Sequence, residues 1–260
     1  MNNIQIGIIG GTRGMGRWFA GFFTREGHTV HVSGRSTGMD ARKMADICQV
    51  VIVSVPIGVT KEVIEKVGPY MKKESLLMDL TSLKEGPVKA MVKFSVSEVI
   101  GCHPLFGPHV DSLAGRRVVL CPARTERWLA WLRAILEKNG ALVVETMPAK
   151  HDAMMAIVQG LNHLNTITMG AVLGKTGISL SELNRFATPA FQTKVGIVEK
   201  VFVHNPGLYA EIVATNPDIC GVLDLYEKTL SELRGLIQRG DARGLVEMME
   251  RYAKLLWPPD

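Results

Sequence analysis

Residues 4–19 read IQIGIIGGTRGMGRWF. The isoleucine-rich start, IQIGIIG (4–10), is the pattern of a buried β-strand. Glycines follow at once, and residues 14–26 then read as a helix. In that order a glycine-rich turn lets backbone N–H groups approach a pyrophosphate at a helix N-terminus. Reading G-x-G-x-x-G from Gly11 to Gly16 puts Arg13 where the second glycine belongs. Reading G-x-x-x-G-x-G keeps Gly10, Gly14 and Gly16 intact. The loop residues assigned to a dinucleotide are therefore Gly10, Gly11, Thr12, Arg13, Gly14, Met15 and Gly16.

The second spacing is common among short-chain dehydrogenases, but their Y-x-x-x-K is absent. Tyr70 is followed by Met71, Lys72 and Lys73, and Tyr252 by Ala253 and Lys254. The nucleotide's flavour is read at the end of the second strand, HTVHVSG (28–34). An NAD site places an acidic residue about 20 residues beyond the glycines, on the ribose hydroxyls. Here Gly34, Arg35, Ser36 and Thr37 stand in that region, and no carboxylate comes before Asp40. A guanidinium flanked by hydroxyls suits a 2′-phosphate, so Arg35 and Ser36 favour NADP over NAD.

Working outward, apolar runs recur as CQVVIVSVP (48–56), SLLMDL (75–80), SEVIGCH (97–103), RRVVLCP (116–122) and ALVVETM (141–147), with helical stretches near 60–72 and 124–138. Strands alternating with helices predict a Rossmann-type, mostly parallel α/β sheet covered on both faces. After about Pro148 the periodicity is helical throughout, with PGLY (206–209) and NPD (216–218) as punctuation. The expectation is a dinucleotide-binding domain over 1–148 and an all-α domain over 149–260.

The chain has 260 residues, 47% hydrophobic and 21% charged, with a net charge of +5. That is a soluble globular balance. The basic residues are scattered, with no stripe of interleaved aromatics, so small anions rather than nucleic acid are the expected partners. No run reaches the roughly 18 apolar residues of a membrane span, and no secretory leader is read at the N-terminus. The cysteines (Cys48, Cys102, Cys121, Cys220) lack metal-ligand spacing, so no metal is expected. Reduced thiols in a cytoplasmic protein fit best.

Two segments carry chemistry. GCHPLFGP (101–108) sets His103 at the mouth of a stiff turn, either satisfied by backbone groups or catalytic. The first helix of the second half has an apolar stripe, Met154, Ile157, Val158, Leu161 and Leu164, which reads as core. It also has a polar stripe, Gln159, Asn162, His163 and Thr166, whose amides, hydroxyl and imidazole suit an enclosed wet surface better than a solvated face.

In order, GGTRGMGRWF, VIVSVPIGVT, MDLTSLKEGP, GCHPLFGP, KHDAMMAIVQGLNHL and NPGLYAEI resemble prephenate dehydrogenase, the oxidoreductase of tyrosine biosynthesis. The likeness runs from about residue 4 to at least 215. It resembles the form often fused to chorismate mutase, although no mutase segment is read here. It implies hydride transfer from C4 of prephenate to NAD(P)+, with loss of the ring carboxylate as CO2. On that resemblance His103 is the base that takes the C4 hydroxyl proton, and Ser82 touches the same hydroxyl. By itself Ser82 reads as an N-cap for a helix starting near Leu83. Ser54 and Pro56 match the segment beside the nicotinamide. Gln159 and His163 match the family's substrate-facing pair, and His151 a His-Asp pair with a structural job.

The family places a carboxylate-binding arginine nine residues before the aromatic of NP-x-x-Y. Here that position is Lys200, which keeps the charge but loses the bidentate fork. A second arginine found in some relatives is Gln192, and Lys194 or a partner subunit's arginine is a possible substitute. The resemblance also implies a homodimer paired through the helical half. The nearest rival is arogenate dehydrogenase. β-Hydroxyacid dehydrogenases and imine reductases share the two-domain plan but use a lysine where this helix has Gln159 and His163. A non-catalytic dinucleotide-binding regulator is the remaining reading.

Overall fold

Seven short apolar runs become seven strands of one sheet. The computed structural model describes residues 3–34 and 39–258. Its strands are β1 (Gln5–Ile9), β2 (Thr29–Ser33), β3 (Val50–Val53), β4 (Leu76–Asp79), β5 (Glu98–Pro104), β6 (Arg117–Arg124) and β7 (Leu142–Glu145). Their order across the sheet is β2-β1-β3-β4-β5-β6-β7. All neighbours are parallel except β5 and β6.

The helices α1 (Gly14–Arg25), α2 (Ala41–Ile47), α3 (Ile57–Val67), α4 (Glu85–Phe94) and α5 (Trp128–Lys138) cover its faces. Helix α2 escapes the sequence reading, and α4 starts at Glu85, two residues after the start expected near Leu83. Every residue of β3, β4 and β5 is buried, as parallel strands between two helical layers must be. One face packs Ile6, Ile8 and Ile52 on Phe19, Phe23 and Trp128. The other packs Val51, Val53 and Leu77 on Met44, Ile64 and Met91.

The chain leaves β1 for β2 on one side and later returns to β3 on the other. The C-terminal ends of β1 and β3 therefore frame a switch-point crevice, the usual ligand position in open α/β sheets. The glycine loop lies there.

From Pro148 onward the described chain is helical: α6 (Pro148–Met155), α7 (Asn162–Lys175), α8 (Leu180–Asn184), α9 (Pro189–Glu199), α10 (Pro206–Thr215), α11 (Ile219–Gln238) and α12 (Ala242–Leu256). Two π-turns interrupt it, at Ala156–Leu161 and Lys200–His204. The PGLY segment opens α10, with Pro206 in its first turn. None of these helices is long and apolar enough to cross a membrane.

The apolar stripe expected as core is not core. Met154, Ile157 and Val158 are 46%, 52% and 58% exposed, while Thr166 of the polar stripe is buried. Of the rest of the polar stripe, Gln159 and His163 are half-buried and Asn162 is exposed. Met154, Ile157 and Val158 have no covering layer among the described residues. Among the described residues after Pro148, the buried hydrophobics are only Met155, Ala156, Val201, Ile212 and Met248.

Candidate active site

An α-helix begins with backbone N–H groups that lack helical partners, and carboxylates satisfy them well. Helix α2 is capped by its own Asp40, which accepts from the Arg42 N–H. The start of α3 donates from the Ile57 N–H to Glu211 on α10, 3.0 Å away. The start of α4 donates from Lys84 and Glu85 to the two oxygens of Asp152, at 2.8 and 2.9 Å. The start of α5 donates from Glu126, Arg127 and Trp128 to Glu98, which is buried on β5. Among the described residues, no side chain caps α1.

The glycine loop ahead of α1 is shaped by contacts only glycine permits. Gly10 has φ +85°, and a Cβ there would meet the Ser54 carbonyl oxygen at 2.1 Å. A Cβ on Gly16 would meet the Gly10 carbonyl oxygen at 2.5 Å, and Gly14 has φ +52°. These are the three glycines of the G-x-x-x-G-x-G reading. Gly11 is tight against Val32, and Thr12, Arg13 and Gly14 are exposed. An uncapped helix start behind a glycine cradle fits a dinucleotide pyrophosphate. Ser54 follows β3 beside Gly10, and Pro56 is the N-cap position of α3, so both edge the same crevice. Arg35 and Ser36 lie outside the described residues.

His103, near the end of β5, is 3% exposed and enters a hydrogen-bonded series that crosses the cleft. Its Nδ1 lies 2.9 Å from His151 Nε2. His151 Nδ1 lies 2.7 Å from Asp152 Oδ1. Asp152 is the carboxylate that caps α4, and its backbone carbonyl accepts from buried Asn216 at 3.0 Å. Beneath the ring, fully buried Lys84 pairs with Asp79 and donates to the Cys102 carbonyl at 2.9 Å. Burial, then the His151 imidazole, then the Lys84 cation hold His103 well below the usual histidine range. These effects favour the neutral form of the ring.

Each π-turn carries one expected substrate residue. Gln159 sits in the first, with its amide nitrogen 3.5 Å from His103 Nε2 and its buried Oε1 without a protein partner. Lys200 opens the second and is exposed. His163, in the first turn of α7, packs edge-on against Tyr209 of α10, ring centroids 4.8 Å apart. Burial first, and Lys200 second, lower its pKa. π-Turns concentrate at functional sites because they re-aim side chains within a helix.

The structure thus brings Gln159 to His103, and His163 to Tyr209. Gln192 is exposed on α9 and makes no side-chain hydrogen bond among the described residues. Ser82 is half-buried and does not cap α4, because Asp152 already takes those amides and α4 starts at Glu85. Sequence reasoning missed Lys84, Asp79 and Glu211, and gave the His-Asp pair at His151 only a structural job. Glu211 and Asp152 meet amides 154 and 68 positions away, whereas Asp79 and Lys84 pair across five.

Residues 21–145 match the family description prephenate dehydrogenase, nucleotide-binding domain, and residues 147–251 match prephenate dehydrogenase, dimerization domain. The chain belongs to the prephenate dehydrogenase family. Among its relatives in this family is a probable arogenate/prephenate dehydrogenase of Methanocaldococcus jannaschii, 37% identical over 97% of this chain and 61% of that protein. The T-protein of Haemophilus influenzae is 30% identical over 95% of this chain and 66% of its own length. The chain therefore spans about three fifths to two thirds of these curated relatives.

The fold matches a prephenate dehydrogenase from A. aeolicus, solved with hydroxyphenyl propionate and NAD+, at TM-score 0.77 and 21% identity, covering 97% of this chain and 96% of that one. Synechocystis arogenate dehydrogenase gives a TM-score of 0.73 at 21% identity, covering 95% of this chain and 97% of that one.

Proposed function

We propose that this chain oxidises prephenate to 4-hydroxyphenylpyruvate and CO2, with NADP+ as the hydride acceptor. The observation that carries the reading is His103, a buried neutral imidazole at the C-terminal end of β5, on the same sheet edge as the uncapped glycine loop. His103 Nε2 takes the proton of the C4 hydroxyl as that carbon becomes a carbonyl. When bound, the oxidised nicotinamide accepts the hydride leaving C4. The bond from C1 to the ring carboxylate then breaks, its electrons enter the ring, and CO2 departs. The phenolate oxygen regains the proton from His103.

Gly10, Gly11, Thr12, Arg13, Gly14, Met15 and Gly16 would hold the pyrophosphate, with Ser54 and Pro56 beside the nicotinamide. Arg35 and Ser36 would meet the 2′-phosphate. Asp40, the first carboxylate after β2, stands at the start of α2 and accepts there from the Arg42 N–H, a capping role that supports NADP. Half-buried Ser82 has no competing partner among the described residues and would meet the C4 hydroxyl. Gln159, His163, Gln192 and Lys200 would contact the substrate, with Lys200 as the cation for a carboxylate.

The domains take the bounds 1–148 and 149–260, and the helical half pairs with a second copy of the chain. Exposed Phe186, Val203 and Leu225, at 81%, 66% and 67%, support that pairing. Three buried thiols fit a cytoplasmic setting.

Arogenate is the second reading, favoured by Lys200 in the arginine position and by the dual name of the M. jannaschii relative. The test is reduced-nicotinamide absorbance with each substrate and each of NADP+ and NAD+. Faster turnover of prephenate with NADP+ supports the proposal. Cofactor binding without turnover of either substrate contradicts it and favours a regulatory protein.

A further inference from the structure

We propose that His151 and Asp152 are positioning residues that hold His103 as its Nδ1–H tautomer, leaving Nε2 bare as the proton acceptor. The inference rests on the reading of His103 as the base, and deepens it. A carboxylate only accepts hydrogen bonds, so the 2.7 Å contact to Asp152 Oδ1 requires a proton on His151 Nδ1. An imidazole that carries its one proton on Nδ1 has a lone pair on Nε2. The 2.9 Å contact to His103 Nδ1 therefore requires a proton on that nitrogen. His103 Nε2 is left without one, facing the Gln159 amide, which has N–H groups to donate. Each proton position follows from the one before it, and the series starts at Asp152.

Asp152 is itself fixed. Its oxygens take the Lys84 and Glu85 N–H groups at the start of α4, and Asn216 holds its carbonyl. His151 and Asp152 are 2% and 1% exposed, so bulk water does not replace either partner. The charged and titratable groups around His103 are His151 and Asp152 from α6, Lys84 from the start of α4, and Asp79 from β4. The sheet half supplies the base and the helical half supplies the residue that orients it. The base is therefore assembled only when the two halves are docked. An aspartate orienting an imidazole has the same logic in serine hydrolases; here a second imidazole is inserted between them.

The test is ¹⁵N NMR of ring-labelled histidine in the whole chain at about pH 8, with His103 assigned from its loss in His103→Asn. The proposal predicts a protonated Nδ1 and a bare Nε2; a protonated Nε2 overturns it. This readout needs neither turnover nor a variant at 151, so it stands if the prephenate reading fails or a variant does not fold. In kinetics, His151→Leu is expected to lose kcat about 100-fold or more with dinucleotide affinity unchanged. His151→Gln, whose amide oxygen accepts the Nδ1–H, is expected to recover at least about tenfold of that loss. Equal kcat in the two variants, or near-normal kcat in His151→Leu, overturns the assignment.

Discussion

The Glu211 carboxylate of α10 accepts a hydrogen bond from the Ile57 N–H at the start of α3, at 3.0 Å. With Asp152 of α6 at the start of α4, this makes two helix starts of the sheet half whose caps come from the helical half. Glu211→Ala is expected to destabilise the chain by about 1 kcal/mol, the usual cost of a lost N-cap. Glu211→Gln, which keeps a carbonyl acceptor, should cost less. Urea denaturation of the three proteins checks the order.

The glycines of the loop are not equivalent. At Gly10 an added Cβ meets the Ser54 carbonyl at 2.1 Å and φ is +85°, whereas at Gly14 the space is open and φ is +52°. Gly10→Ala must push backbone apart and should abolish dinucleotide binding in a fluorescence titration. Gly14→Ala carries only the left-handed backbone cost, about 1 kcal/mol, and should weaken binding by roughly tenfold or less.

Lys84 and Asp79 are both fully buried, and Asp79 Oδ1 has no partner of its own. Lys84→Met leaves that carboxylate uncompensated, which costs about 3–5 kcal/mol. Adding Asp79→Asn should recover much of the loss. Denaturant midpoints of the single and double variants measure it.

Folding lowers the pKa of His28, His103 and His163, in each case chiefly by burial. Below the unfolded value of about 6.5 the unfolded chain then binds more protons than the folded one. The stability from keeping these rings neutral is fully present above that pH and is lost as pH falls towards the folded values. Denaturant midpoints should be flat from about pH 7 to 8 and decline below about 6.5. His103→Asn should make that decline shallower.

The sheet was legible because buried parallel strands are near-continuous apolar runs, and β1 to β7 all stand where those runs do. The glycine loop was legible because Gly10, Gly14 and Gly16 have one backbone explanation. His103 stood out by its stiff turn. What escaped was whatever depends on distant pairing: Asp152 meets Lys84 across 68 positions and His151 meets His103 across 48. The π-turn at Ala156–Leu161 inserts extra winding without a local sequence mark. It helps explain why Gln159 and Thr166, and not Met154, Ile157 and Val158, face inward. That stripe, Met154, Ile157 and Val158, read as core because a single sequence does not show whether a second chain covers it.

The most direct measurement is kcat of His103→Asn with prephenate and NADP+, alongside the dinucleotide dissociation constant. The account predicts that kcat falls about 100-fold or more while the dissociation constant stays within about twofold of the unmodified chain. A variant that turns over prephenate at close to the unmodified rate would contradict it, because the C4 hydroxyl proton is assigned to His103 Nε2.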